Sequence, residues 1–283
     1  MTNTQRVQST PQTGILSRTW VRATALVVGF AIVMIVSNSI ASALENPLAA
    51  LLVGPLLAVL VLWLYGFAVR RIERRTVTEL APRRATRLVL IGLAGGIVLS
   101  AATVGILALF GGYRITGWGS VSGALSVVGM MCAIAVAEEV LFRGVIFGLV
   151  QRRWGTWLAL AVSAVLFGLV HLVNPGATVW GAIAIAVEAG LMLAAAYVAT
   201  GSLWLSIGLH LGWNIATVAI FGTVTSGSES RGAIVTATTS GPDWLTGGAF
   251  GPEASVIAVI VCSAATAVLI RIARRRGRIV SRA

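Results

Sequence analysis

Apolar residues are gathered into eight long runs, at about 21–44, 48–69, 87–111, 120–150, 156–173, 178–199, 202–222 and 254–272, with short polar connections between them. Each run is close to the roughly 20 residues that a helix needs to cross a bilayer core. The runs are continuously apolar and lack the alternation of a lipid-exposed strand, so helices are predicted and membrane strands are not. The fourth run is long enough to tilt or to extend beyond the bilayer. The expected fold class is all-α: a polytopic membrane protein of about eight transmembrane helices.

Composition agrees with this pattern. Of 283 residues, 57% are hydrophobic and 11% are charged, against about 25% charged in a soluble domain. The surplus of apolar side chains must face lipid. One membrane domain is expected over 20–272, with no soluble domain appended. Residues 1–19 are polar and read as a disordered cytoplasmic tail. Residues 273–283 read as a basic cytoplasmic tail. The first run is too long for a secretory leader and is read as a retained span. Cys132 and Cys262 lie inside apolar runs, without metal or redox spacing, and read as small buried hydrophobes.

The net charge of +12 comes with no lysine, and all but three of the 21 arginines stand in blocks between runs. These blocks are Arg6, Arg18 and Arg22; Arg70 to Arg87; Arg152 and Arg153; and Arg271 to Arg282. With eight spans and a cytoplasmic N-terminus they all fall on the inner side, as the positive-inside rule requires. Only Arg114 and Arg231 fall outside, and Arg143 lies within a span. Seven spans would put one block on the wrong side. Both termini are therefore expected in the cytoplasm. No basic-aromatic groove pattern is present, so nucleic acid is not an expected partner. The connection from Gly222 to Glu253 is rich in Gly, Ser and Thr. It is expected to be extracytoplasmic and mobile, with Trp244 and Phe250 as candidates to touch the interface.

Ionisable groups inside the runs change the picture from scaffold to chemistry. Glu138, Glu139 and Glu188 lie in predicted spans, as do both histidines, His171 and His210. A charge at mid-bilayer costs about 2.5–3.5 kcal/mol on insertion scales, so such groups are expected to face the bundle interior and to mark a site. Glu139 and Arg143 are four residues apart, on one helix face, and suited to an ion pair. Glu138 is turned about 100° from that face. It stays outside the pair and suits a general base acting on water. Phe167 and His171 share a face of the fifth run, and His210 and Asn214 share one on the seventh. His210 and Asn214 are donors one turn apart, able to hold a developing oxyanion. Counting at 1.5 Å per residue puts Glu138 about 21 Å and His171 about 22 Å from the inner boundary, but His210 only about 12 Å. A tilted or displaced seventh helix is needed to unite them. Glu188 has no visible local partner and reads as a structural or channel-lining carboxyl. Asn174 is equally placed to cap the fifth helix or to line a cavity. Gly144 and Gly168 lie where helices could approach closely.

Glu-Glu-x-x-x-Arg at 138–143, Phe-x-x-x-His at 167–171 and His-x-x-x-Asn at 210–214 stand in this order on successive spans. The set resembles the CAAX-protease and bacteriocin-processing family of intramembrane glutamic endopeptidases, over a catalytic core at about 120–222. The resemblance implies an intramembrane active-site cavity. In it Glu138 and His171 would activate water, Glu139 and Arg143 would support the site, and His210 and Asn214 would form the oxyanion hole. Phe167 would pack beside them. It implies no cofactor and no metal, and a membrane-associated protein or peptide as substrate within the lipid bilayer. The all-arginine, alanine-rich composition points to a bacterial inner membrane, where prenylated substrates are not expected. Two alternatives stay open: a proton-coupled transporter, whose relay residues would be spread across the membrane, and a non-catalytic immunity or scaffold protein. A zinc-dependent variant lacks the His-Glu-x-x-His helix of membrane metalloproteases.

Overall fold

The computed structural model describes residues 19–228 and 232–281. The expected N-terminal tail up to residue 18, together with Glu229, Arg231 and Arg282, lies outside the described residues. Among the described residues, eight helices are long and apolar enough to cross a membrane: α1 (Trp20–Ser42), α2 (Pro47–Glu73), α3 (Thr78–Leu109), α4 (Val121–Trp154), α5 (Thr156–Val173), α6 (Val179–Thr200), α7 (Leu203–Ile220) and α8 (Val256–Arg275). Several starts are written into single residues. Asn46 Oδ1 accepts from the Leu48 and Ala49 amides, both at 3.0 Å, with Pro47 at the first helical position. Ser120, Thr178, Ser202 and Ser255 cap α4, α6, α7 and α8 in the same way, each satisfying an amide that a helix start leaves without a partner.

Burial separates the helices into a centre and a ring. In the most apolar stretch of each span, 72% of α4, 67% of α6 and 78% of α7 is buried, against 17% of α1 and α8. The central three therefore face protein, and the outer helices turn Ile, Leu and Val side chains outward. Glycine brings α7 against α3. A Cβ on Gly96 would lie 2.2 Å from the Leu209 carbonyl oxygen, and one on Gly212 would lie 2.2 Å from that of Leu93. Gly92 and Gly96 face Gly208 and Gly212, so small residues one turn apart on both helices allow backbone contact. Gly168 admits α6 in the same way, its missing Cβ falling 2.3 Å from the Ala182 carbonyl oxygen. Gly144 makes room for the Tyr65 ring.

The arginine-rich end is stitched by ion pairs and backbone contacts. Arg75 pairs with Glu73 at 2.5 Å and with Glu79 at 2.7 Å, and Arg152 pairs with Glu73. Burial opposes the charge on Arg75, and its bonds to Glu79 and Glu73 overcome that and hold the guanidinium above its ordinary range. Tyr65 Oη lies 2.5 Å from Glu79 Oε1 and 3.1 Å from the Gly144 carbonyl oxygen, tying α2, α3 and α4 together. Beyond α8, the Val280 amide donates to Thr156 Oγ1 at 2.8 Å, and the Thr156 amide donates to the Val280 carbonyl at 2.9 Å.

The opposite end departs from expectation. A two-stranded antiparallel ribbon joins β1 (Tyr113–Trp118) to β2 (Val235–Thr239), with an irregularity between Ile115 and Gly117. It lies outside the spans, so the membrane domain remains all-helical. The α7–α8 connection, expected to be mobile, folds back onto the bundle. The Gly227 amide donates to the Phe250 carbonyl, and the Gly176 amide donates to the Gly227 carbonyl, both at 2.8 Å. Phe250 does not touch the interface: it is fully buried, its ring filling the space beside Gly181, while Trp244 is exposed. Small residues made this segment look unstructured, yet those same glycines let its backbone approach the helix ends.

Candidate active site

Three central helices change their winding at the site. In α4 the turns widen to π-helix over Val140–Phe147, just after the paired glutamates. In α6 they widen over Ala186–Leu191, around Glu188, and in α7 over Ile215–Ile220, just after Asn214. A π turn is frequent at functional positions. Arg143 Nη2 donates to the Ala189 and Gly190 carbonyls in the widened stretch of α6, both at 3.2 Å. Its Nη1 donates to Glu139 Oε1 at 2.8 Å, which is the expected pair four residues apart. The guanidinium also lies 4.4 Å from the centre of the Phe167 ring, within cation–π range.

Glu138 and Glu139 part as helix geometry predicts. Glu139 and Arg143 have no exposed surface, whereas Glu138 keeps 9% of its own. That remnant opens into a cavity of about 530 Å³, where Glu138, Phe167, His171, Glu188, His210 and Asn214 all contribute to the wall. His210 binds both glutamates: Nδ1 is 3.0 Å from Glu139 Oε1, and Nε2 is 3.8 Å from Glu138 Oε2. The depth mismatch is thereby resolved. Counting along each helix from its own end does not give their relative levels, and α7 brings His210 to the paired glutamates of α4.

His171 is oriented by its own helix. Nδ1 lies 2.6 Å from the Phe167 carbonyl oxygen. A carbonyl only accepts, so Nδ1 carries the proton and Nε2 is left as the other ring nitrogen. The Phe167 ring stands between the two histidines, 4.9 Å from the His171 ring and 6.0 Å from the His210 ring. Asn214 Nδ2 is 3.5 Å from Met131 Sδ, a weak bond that a stronger acceptor could replace. Asn174 Nδ2 donates to the Ser226 carbonyl at 2.6 Å, and the residue also lines the cavity.

Residues that no motif signalled complete the wall. Glu253 is buried and accepts from Trp213 Nε1 (2.9 Å), Thr225 Oγ1 (2.7 Å), the Ser226 amide (2.6 Å) and Ser226 Oγ (2.7 Å). Its only signal in the sequence is an acid with no basic neighbour, in a Gly/Pro run that enters a span. Asn38 and Ser42 of α1 also line the cavity. Glu188 is fully buried in the same wall, with Cys262 Sγ 3.6 Å from its Oε1. Its partner lies 74 residues away on α8, which is why none was visible locally. Among the described residues, no three His, Cys, Asp or Glu side chains converge as metal ligands would.

Comparison with known families decides the relationship. Residues 120–216 match the family model of type II CAAX prenyl endopeptidase Rce1-like proteins. The match spans about a third of the chain and contains all three motifs. No curated protein and no solved structure matches the chain. The Rce1-like segment comprises α4, α5, α6 and most of α7, the part of the fold that surrounds the cavity, and it supports a membrane endopeptidase of the CAAX type in general.

Proposed function

We propose that the protein is an intramembrane glutamic endopeptidase that hydrolyses a peptide bond of a membrane-associated protein or peptide, with Glu138 as the base that activates water. The observation that carries this reading is the convergence of Glu138, His171, His210 and Asn214 from three helices on one cavity inside an Rce1-like segment.

In the proposed scheme, water is held between Glu138 and Nε2 of His171. Glu138 takes one proton, and the hydroxide oxygen bonds to the scissile carbonyl carbon. Negative charge moves to the carbonyl oxygen. His210, held at Nδ1 by Glu139, presents Nε2 to the cavity; with both nitrogens protonated it donates to that oxygen, together with Asn214 Nδ2. The C–N bond then breaks, and the proton held by Glu138 passes to the leaving nitrogen. Removing one oxyanion donor costs about 10²–10³ in kcat in comparable sites. No covalent intermediate and no metal is required by this scheme. The arginine-rich end faces the cytoplasm.

The test is cleavage in reconstituted membranes, read by comparing membrane proteomes with the wild type and with Glu138→Ala. Fragments that vanish in Glu138→Ala and survive strong chelators are expected. Fragments that persist in Glu138→Ala overturn the assignment. A cellular phenotype that survives Glu138→Gln favours instead a binding role for the same fold.

A further inference from the structure

The wall of the cavity opposite the histidines holds a second carboxyl for which the proposed chemistry has no use. Glu188 has no exposed surface. Its Oε1 meets only the Cys262 thiol, a weak donor 3.6 Å away, and its Oε2 has no hydrogen-bond partner. Cys262 itself packs with Met192 and Trp213. Trp213 in turn donates to Glu253, which accepts four hydrogen bonds. Glu138, Glu188 and Glu253 all line the cavity, and among the described residues no arginine does.

A carboxyl left without a partner in an apolar wall is costly unless it is protonated or meets a cation. An ammonium or guanidinium brought to the open oxygen of Glu188 would supply the missing partner. The remaining lining, with Met130, Met131, Ile134 and Met192, suits an apolar chain with adaptable contacts.

We propose that Glu188 is a specificity subsite for a basic side chain of the substrate, so that the protein favours segments that place a lysine or arginine against that part of the cavity wall. This rests on the peptidase reading given above, with Glu188 as a specificity-determining residue that performs no step of hydrolysis.

The test uses the full chain in lipid nanodiscs and two readouts. Apolar peptide amides are prepared with a single lysine moved along the sequence, each with a norleucine twin. Binding to Glu138→Gln protein is read by fluorescence anisotropy, and cleavage by wild type is read by mass spectrometry. At one lysine position, binding and kcat/KM are expected to favour lysine by about tenfold or more, the order expected of a close charge pair. Glu188→Gln is expected to erase that preference, so that the lysine and norleucine twins bind and are cleaved alike. Cys262→Ala, which removes only the weak thiol donor, keeps the preference and serves as the folded control. Equal binding of the twins at every position, or a preference that survives Glu188→Gln, overturns the subsite. Lysine-selective binding without any cleavage upholds the subsite and removes the peptidase reading instead.

Discussion

Arg143 is wholly buried, and its donors reach one carboxylate and two carbonyls on a neighbouring helix. It thereby neutralises Glu139, and Glu139 in turn orients His210 at Nδ1. Lysine has a point charge on a flexible stem and cannot serve all three acceptors of a planar fork. Arg143→Met leaves Glu139 buried without its cation and is expected to destabilise the protein by about 3–5 kcal/mol. Thermal unfolding in detergent checks this. The double variant Glu139→Gln, Arg143→Met removes both charges and is expected to recover most of that loss. It does not recover activity, because a neutral amide oxygen holds the His210 ring more weakly than the carboxylate does. Arg143→Lys is expected to fall between wild type and Arg143→Met in stability. Recovery of activity in the double variant would show that Glu139 does not position His210.

At the scale of elements, the site depends on how closely α7 approaches α3. Gly208 and Gly212 flank His210 on the α3 side, and a Cβ on Gly212 would meet backbone, not a side chain that could swing aside. Gly212→Ala must therefore shift α7. A misplacement of about 1 Å costs about 10²-fold in rate when groups must be aligned. Such a loss in kcat is expected, with little change in thermal stability, since alanine is the better helix former. Gly105→Ala meets nothing within 4 Å and is the silent control on α3. The motif residues themselves were legible because a spacing of four is a property of one helix, as for Glu139 with Arg143 and Phe167 with His171. The depth of His210 was not, because the level of α7 is set by glycine contacts with α3. Nor was Cys262 as the neighbour of Glu188, since that contact joins α6 to α8. The loop that carries Glu253 misled most: glycine and serine are as compatible with tight folding against helix ends as with disorder.

For the whole molecule, the two ends differ in chemistry. One gathers the arginine blocks of the α2–α3 and α4–α5 connections and the end of α8, joined through Arg152 with Glu73 and Thr156 with Val280. The other gathers the β ribbon and the folded α7–α8 connection, which contributes Thr225, Ser226 and Glu253 to the cavity wall. The cavity therefore lies nearer the end poor in arginine, and the side of the membrane on which that end lies decides which substrates can reach Glu138. The positive-inside rule predicts that the arginine-rich end lies in the cytoplasm. Single cysteines in a background lacking Cys132 and Cys262 test this directly. Ser240 follows β2 and is exposed, and Arg278 follows α8 and is exposed as well. In intact cells, a membrane-impermeant maleimide is expected to label Ser240→Cys and to spare Arg278→Cys until the membrane is opened. The reverse pattern would place the cavity mouth toward the cytoplasm and make cytoplasmic segments its substrates. Labelling of both positions in intact cells would mean that no helix, or an even number of them, crosses the membrane between them, although among the described residues α8 is the one spanning helix that separates them.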